Sequence, residues 1–172
     1  MSKAILISIQ PQWVAKILNG EKTLEIRKTA PKCDLPIDVY IYCTKDKKYA
    51  NLINRGGFLT GMVVAKFTLN KVEEIKFDDK EVQRQACLTE DELFDYLFIN
   101  EPYQEDMHKG YAWHIDNIEI FDEPKELWQF YGLKKPKSCN QCPIGVPSPY
   151  CKTCNVPTRL TLAPQSWCYV EV

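Results

Sequence analysis

Two groups of residues in this chain have the types and spacing to do chemistry. The first is Lys22, Thr23, Glu25 and Arg27, all within six consecutive positions. A lysine supplies a phosphate contact or an amine that activates a nucleophile. An arginine forks onto a phosphate or a base edge. A glutamate beside them serves as a general base or holds the guanidinium in place. The second group is Cys139-x2-Cys142 and Cys151-x2-Cys154. Paired CxxC units are the ordinary layout of a tetrahedral thiolate zinc site. They predict one structural zinc bound by Cys139, Cys142, Cys151 and Cys154.

The elements that must position the first group are read from the stretch Ala4 to Lys28. Ala4 to Ile9 is an apolar, β-branched run, which predicts a buried strand. Pro11 suits a first helical turn, because the amide it lacks has no intrahelical partner there. Val14, Ile17 and Leu18 form one apolar stripe, and Gly20 fits the stop. From Thr23 the period changes to two. Leu24 and Ile26 then share one face of a strand, and Thr23, Glu25 and Arg27 share the other. Spacing alone leaves that polar face as a solvated surface or a site. Ser8 and Gln10 are placed to join it from the first strand, and Trp13 from the helix.

Further strands are expected at Ile37 to Thr44, over a long run from Leu59 to Ile75 bent near Thr68, and at Tyr111 to Phe121. Thr158 to Leu162 and Trp167 to Val172 should close the sheet. Short helices are expected within Lys45 to Arg55 and over Glu123 to Tyr131, with Gly132 as the stop of the latter. Residues 76–109 read as an insertion. Within it Thr89 and Glu92 form a capping box ahead of a helix from Glu90 to Phe98. Residues 134–157 read as a proline-rich appendage with no apolar core of its own, which metal would have to fold. Cys43 and Cys168 lie in apolar runs and are expected in the core. His108 and His114 stand in no nucleophile motif, and His114 is expected to be a structural strand residue.

With 172 residues, 45% hydrophobic and 26% charged, the chain has the make-up of one ordinary globular domain, 1–172, with these two additions. No apolar run reaches the roughly 20 residues of a membrane span. The N-terminus lacks the pattern of a signal peptide, so a cytoplasmic location is expected. Charge is uneven: residues 1–55 hold ten basic and five acidic residues, 56–126 hold seven and seventeen, and 127–172 hold five and one. Two positive ends permit a nucleic-acid face without a basic overall pI.

The stretch Ser8–Ile9, a Pro-led helix, then Gly20, Lys22, Thr23, Glu25 and Arg27 resembles the opening of an ASCH domain, a branch of the PUA-like superfamily. The likeness continues in VYIYCT at Val39, GYAWHI at Gly110 and PQSWCYVEV at Pro164. It implies an α+β fold: a PUA-like mixed β-barrel with short flanking helices, here of a prokaryotic or phage type with a small zinc-binding appendage. Some relatives resemble amidohydrolases of a modified cytidine. Their signature has a threonine nucleophile where this chain has Glu25, so that activity does not carry over.

Three functions remain open from the sequence. The first is a nucleic-acid-binding module for RNA, with Ser8, Gln10, Trp13, Lys22 and Arg27 as contacts. The second is a small hydrolase of a modified nucleoside or of RNA, with Lys22, Thr23 and Glu25 lining its pocket and a nucleotide or nucleoside as ligand. The third is an adaptor that meets a protein partner through the zinc appendage.

Overall fold

The computed structural model describes residues 2–45, 60–98, 110–132 and 158–172. The four CxxC cysteines, His108 and all but the first residue of the helix expected at Lys45 to Arg55 lie outside these residues. In chain order the elements are β1 (Lys3–Ile9), α1 (Pro11–Leu18), β2 (Leu24–Arg27), β3 (Ile37–Cys43), β4 (Val63–Leu69), β5 (Val72–Ile75), α2 (Lys80–Ala86) and α3 (Glu90–Phe98). They continue with β6 (Gly110–His114), β7 (Asp116–Lys125), a 3-10 turn (Leu127–Gln129), β8 (Tyr131–Gly132), β9 (Thr158–Arg159) and β10 (Trp167–Glu171). This is a mixed α+β chain. A seven-stranded sheet runs β7-β4-β3-β1-β10-β8-β9, and a three-stranded sheet runs β2-β6-β5. No helix among the described residues is long and apolar enough to cross a membrane.

The chain divides into two compact units. The first comprises the described parts of Met1–Pro11, Val39–Ala65 and Phe121–Val172. β1 is its centre, parallel to β3 and antiparallel to β10, with Ile5 opposite both Val39 and Tyr169. Ala4 to Ile9 are all buried, as a strand with both faces covered requires. Leu6, Tyr42, Val63, Phe130 and Val170 pack together on one of those faces. Tyr40 meets Phe130 edge to face at 5.1 Å. Cys43 and Cys168 are buried as expected, and burial pushes the Cys43 thiol up to about 11.

The second unit comprises Gln12–Asp38 and the described parts of Lys66–Ile120. Helix α1 has the expected bounds, and Gly20 follows it at φ +75, where a side chain would strain the backbone. β2 pairs antiparallel with β6, and β6 with β5. Leu24, Ile26 and Ala112 of this sheet pack against Ala86, Leu93 and Leu97 of α2 and α3. Gly110 lets α3 approach: a Cβ there would lie 2.9 Å from Leu97 and 3.0 Å from Ile75. The Thr89–Glu92 capping box forms as expected, with Glu92 accepting from the Thr89 amide at 2.9 Å.

Four expectations are corrected. The run Leu59 to Ile75 is not one bent strand, because the chain changes sheets at Asn70–Lys71. Tyr111 to Phe121 likewise divides after His114, with Asn117 at φ +47 just inside β7. Glu123 to Tyr131 is not a helix: β7 runs on to Lys125, a single capped 3-10 turn follows, and Gly132 is in a strand. Phe130 is already extended, and its amide closes the 3-10 turn on the Leu127 carbonyl. Finally, α2 has no counterpart in the sequence reading. Its signal was Asp79, whose carboxylate accepts from the amides of Glu81 and Val82.

Leu93 is fully buried beneath α3. Leu93→Ala should lower stability by about 2–5 kcal/mol in urea unfolding. A loss below about 1 kcal/mol would mean that α3 is not held to β2 and β6 by this core.

Candidate functional site

The chemistry-bearing residues of β2 are not on a solvated face. Lys22, Glu25 and Arg27 are 3%, 7% and 8% exposed. The carboxylate of Glu25 bridges the two cations. One oxygen lies 3.4 Å from Lys22 Nζ and the other 3.0 Å from Arg27 Nη2. Buried charges persist only when paired and hydrogen-bonded, and this triad meets that condition. Lys22 also donates to the Ala86 carbonyl at the end of α2, at 2.8 Å. Its ammonium lies 5.4 Å from the ring centroid of Trp13 on α1.

Local sequence places each group. The amide of Lys22 closes the turn after α1 on the Lys16 carbonyl at 3.1 Å. Leu24 and Ile26 then anchor β2 in the core below α2 and α3, which leaves Glu25 and Arg27 on the opposite face. Arg27 also donates to the phenol of Tyr96 on α3. Burial raises the Tyr96 phenol above its ordinary value, and the Arg27 charge and hydrogen bond pull it back in part. Lys28 stands over the Tyr96 ring at 5.9 Å.

Thr23 is apart from the triad. Its side chain is exposed and reaches Gln85 at 3.5 Å, while its backbone joins Gln85 and Ile115. Ser8 and Gln10 belong to the first unit. The Ser8 hydroxyl donates to the Pro164 carbonyl at 2.7 Å, tying β1 to the segment before β10, and Gln10 is exposed. Trp113 is fully buried on β6, and His114 meets Glu73 at 2.6 Å between β6 and β5. The sequence reading missed Tyr96 and the Ala86 carbonyl as parts of the site. Tyr96 had a signal only as a member of the helix expected from Glu90 to Phe98, three residues after Leu93, and a backbone carbonyl has none.

No curated protein matches the chain. The family model of the ASCH domain matches residues 7–125, a span that holds the end of β1, α1, β2 and the whole triad. The chain belongs to the ASCH domain family. Solved ASCH structures have the same fold. The ASCH protein of Zymomonas mobilis superposes with a TM-score of 0.52 at 21% identity, over 72% of this chain and 73% of that one. A variant of it with one tyrosine changed to phenylalanine gives 0.54 at 21%, over 73% and 77%. Another with a serine changed to alanine gives 0.53 at 22%, over 72% and 74%. These ASCH relatives are alike in fold at an identity too low to carry more.

Glu25 is the keystone of the triad. Glu25→Ala would leave two buried cations facing each other, and stability should fall by about 3–5 kcal/mol in urea unfolding. A loss within about 1 kcal/mol would show that the triad is solvated.

Proposed function

We propose that this ASCH protein is a nucleic-acid-binding module that takes RNA at the Lys22–Glu25–Arg27 triad, holding a phosphate or a base edge of one recessed nucleotide. Its support is the bridging carboxylate. Each oxygen of Glu25 is engaged by a cation, so Glu25 is built to fix Arg27 rather than to face a reacting atom. A guanidinium fixed in this way is a preorganised fork for phosphate or base. Trp13 and Tyr96 add aromatic surface beside the two cations. The same reading closes the strands into a PUA-like barrel, puts the protein in the cytoplasm of a prokaryote or phage host, and gives it a structural zinc.

The zinc would be held by Cys139, Cys142, Cys151 and Cys154, in an environment that keeps thiols reduced. Four thiolates are a closed donor set suited to zinc. The segment that carries them connects Gly132 to Thr158, and these two residues are paired. Both CxxC units are thus tethered to one short antiparallel stem. Native mass spectrometry should find one zinc per chain, lost in Cys142→Ser. A disulfide among these cysteines in reduced protein refutes the site.

RNA affinity should fall with salt. Two cationic contacts on single-stranded RNA give a slope of log K against log salt of about −1.4. Arg27→Ala should cost about 1–3 kcal/mol of binding. Glu25→Gln separates the roles of the carboxylate. If Glu25 positions Arg27, binding weakens. If binding survives while turnover of a nucleoside or RNA collapses, the protein is a hydrolase and the binding reading is wrong.

A further inference from the structure

A second group of aromatic and cationic residues lies in the first unit, and none of its members belongs to the triad. The 3-10 turn after β7 points Leu127 into the core and leaves Trp128 52% exposed. β8 and β9 place Tyr131 directly opposite Arg159. The Arg159 Nε donates to the Tyr131 hydroxyl at 3.1 Å. Its guanidinium lies 5.6 Å from the Trp128 ring centroid and 5.7 Å from that of Tyr131. An exposed indole is therefore held against an arginine that is itself pinned by a tyrosine hydroxyl.

We propose that Trp128, Tyr131 and Arg159 form a stacking platform for an unpaired base of single-stranded RNA. The ligand class rests on the RNA-binding reading above; the residues and the site are new. Three features select this occupant. Half of Trp128 remains open, and an indole beside a guanidinium suits the face of any base. Arg159 supplies a charge for the adjoining phosphate. The Tyr131 ring, 5.7 Å from the same guanidinium, adds a second aromatic surface. An apolar protein partner would be better matched by a platform without the pinned arginine.

The test uses the full chain with a short fluorescently labelled oligouridine, read by anisotropy. Trp128→Ala should weaken binding about tenfold, with an unchanged melting curve because the residue is exposed. Trp128→Tyr should keep most of the affinity, since a base stacks on either ring. An oligonucleotide carrying 5-bromouridine should photocross-link to the peptide that contains Trp128. Unchanged affinity in Trp128→Ala together with no cross-link there overturns the platform and leaves the surface to a protein partner. If Arg27→Ala weakens binding in that case, the triad reading stands alone. Weakening by Trp128→Ala with Arg27→Ala neutral supports the platform and removes the triad as the RNA site. Oligouridine that fails to bind the intact protein overturns both.

Discussion

Burying Glu25 between Lys22 and Arg27 is the constraint on which the second unit depends. Taking an ion out of water costs several kcal/mol even after relaxation, and Coulomb attraction offsets that only with close geometry and further hydrogen bonds. Here the geometry is drawn from four elements. The turn after α1 sets Lys22, β2 sets Glu25 and Arg27, the end of α2 offers the Ala86 carbonyl, and α3 offers the Tyr96 hydroxyl. The segment read as an insertion is therefore part of the site. Its apolar residues, Ala86, Leu93 and Leu97, pack on the same strand whose other face carries the charges. Moving α2 or α3 would expose the triad or leave a cation without its hydrogen bond.

How much of this could be read from the sequence follows from how local each signal is. Pro11, Gly20 and the change of period at Thr23 act over a few residues; α1 has the bounds they imply, and β2 begins one residue later, at Leu24. The Thr89–Glu92 box is equally local and equally legible. The breaks at Asn70–Lys71 and at Ile115 were not legible. In each case β-branched residues resume after a short polar step, Asn70–Lys71 or Asp116–Asn117, while the chain passes from one sheet to the other, and that change is set by distant partners. The burial of Glu25 and Arg27 was hidden for a related reason. Alternation says that they share a face, but only tertiary structure says whether that face meets water. Tyr96 was hidden more deeply, because a residue in a helical stripe gives no hint that its hydroxyl meets an arginine almost seventy positions away in sequence.

The uneven charge of the chain also has a structural resolution. The acidic middle, with seven basic and seventeen acidic residues over 56–126, stands between the two positive ends. In its described part several of the acids are on the surface and paired locally. Glu81 holds Arg84 on α2, Glu90 holds Lys80, and Glu73 holds both Lys71 and His114. The Glu81 carboxyl is held down at about 2 by its hydrogen bond from Arg84, yet the pair is fully in solvent, where such bridges contribute little to stability. These paired acids are on the surface beside the cations they hold.

That arrangement bears on how a polyanion would be recognised. The field of surface charges is screened over roughly 8 Å at physiological salt. The cations Lys22 and Arg27 are 3% and 8% exposed and act at short range only. Affinity in such a protein must come from contact geometry: a fixed guanidinium, a nearby aromatic ring, a base that leaves its stack. Long-range steering by a broad basic surface would need exposed lysines and arginines without acidic neighbours. Lys66, Lys71, Lys80 and Arg84 each have an acidic partner. Arg159 is instead engaged by a tyrosine hydroxyl and two aromatic rings, and it has no acidic partner among the described residues.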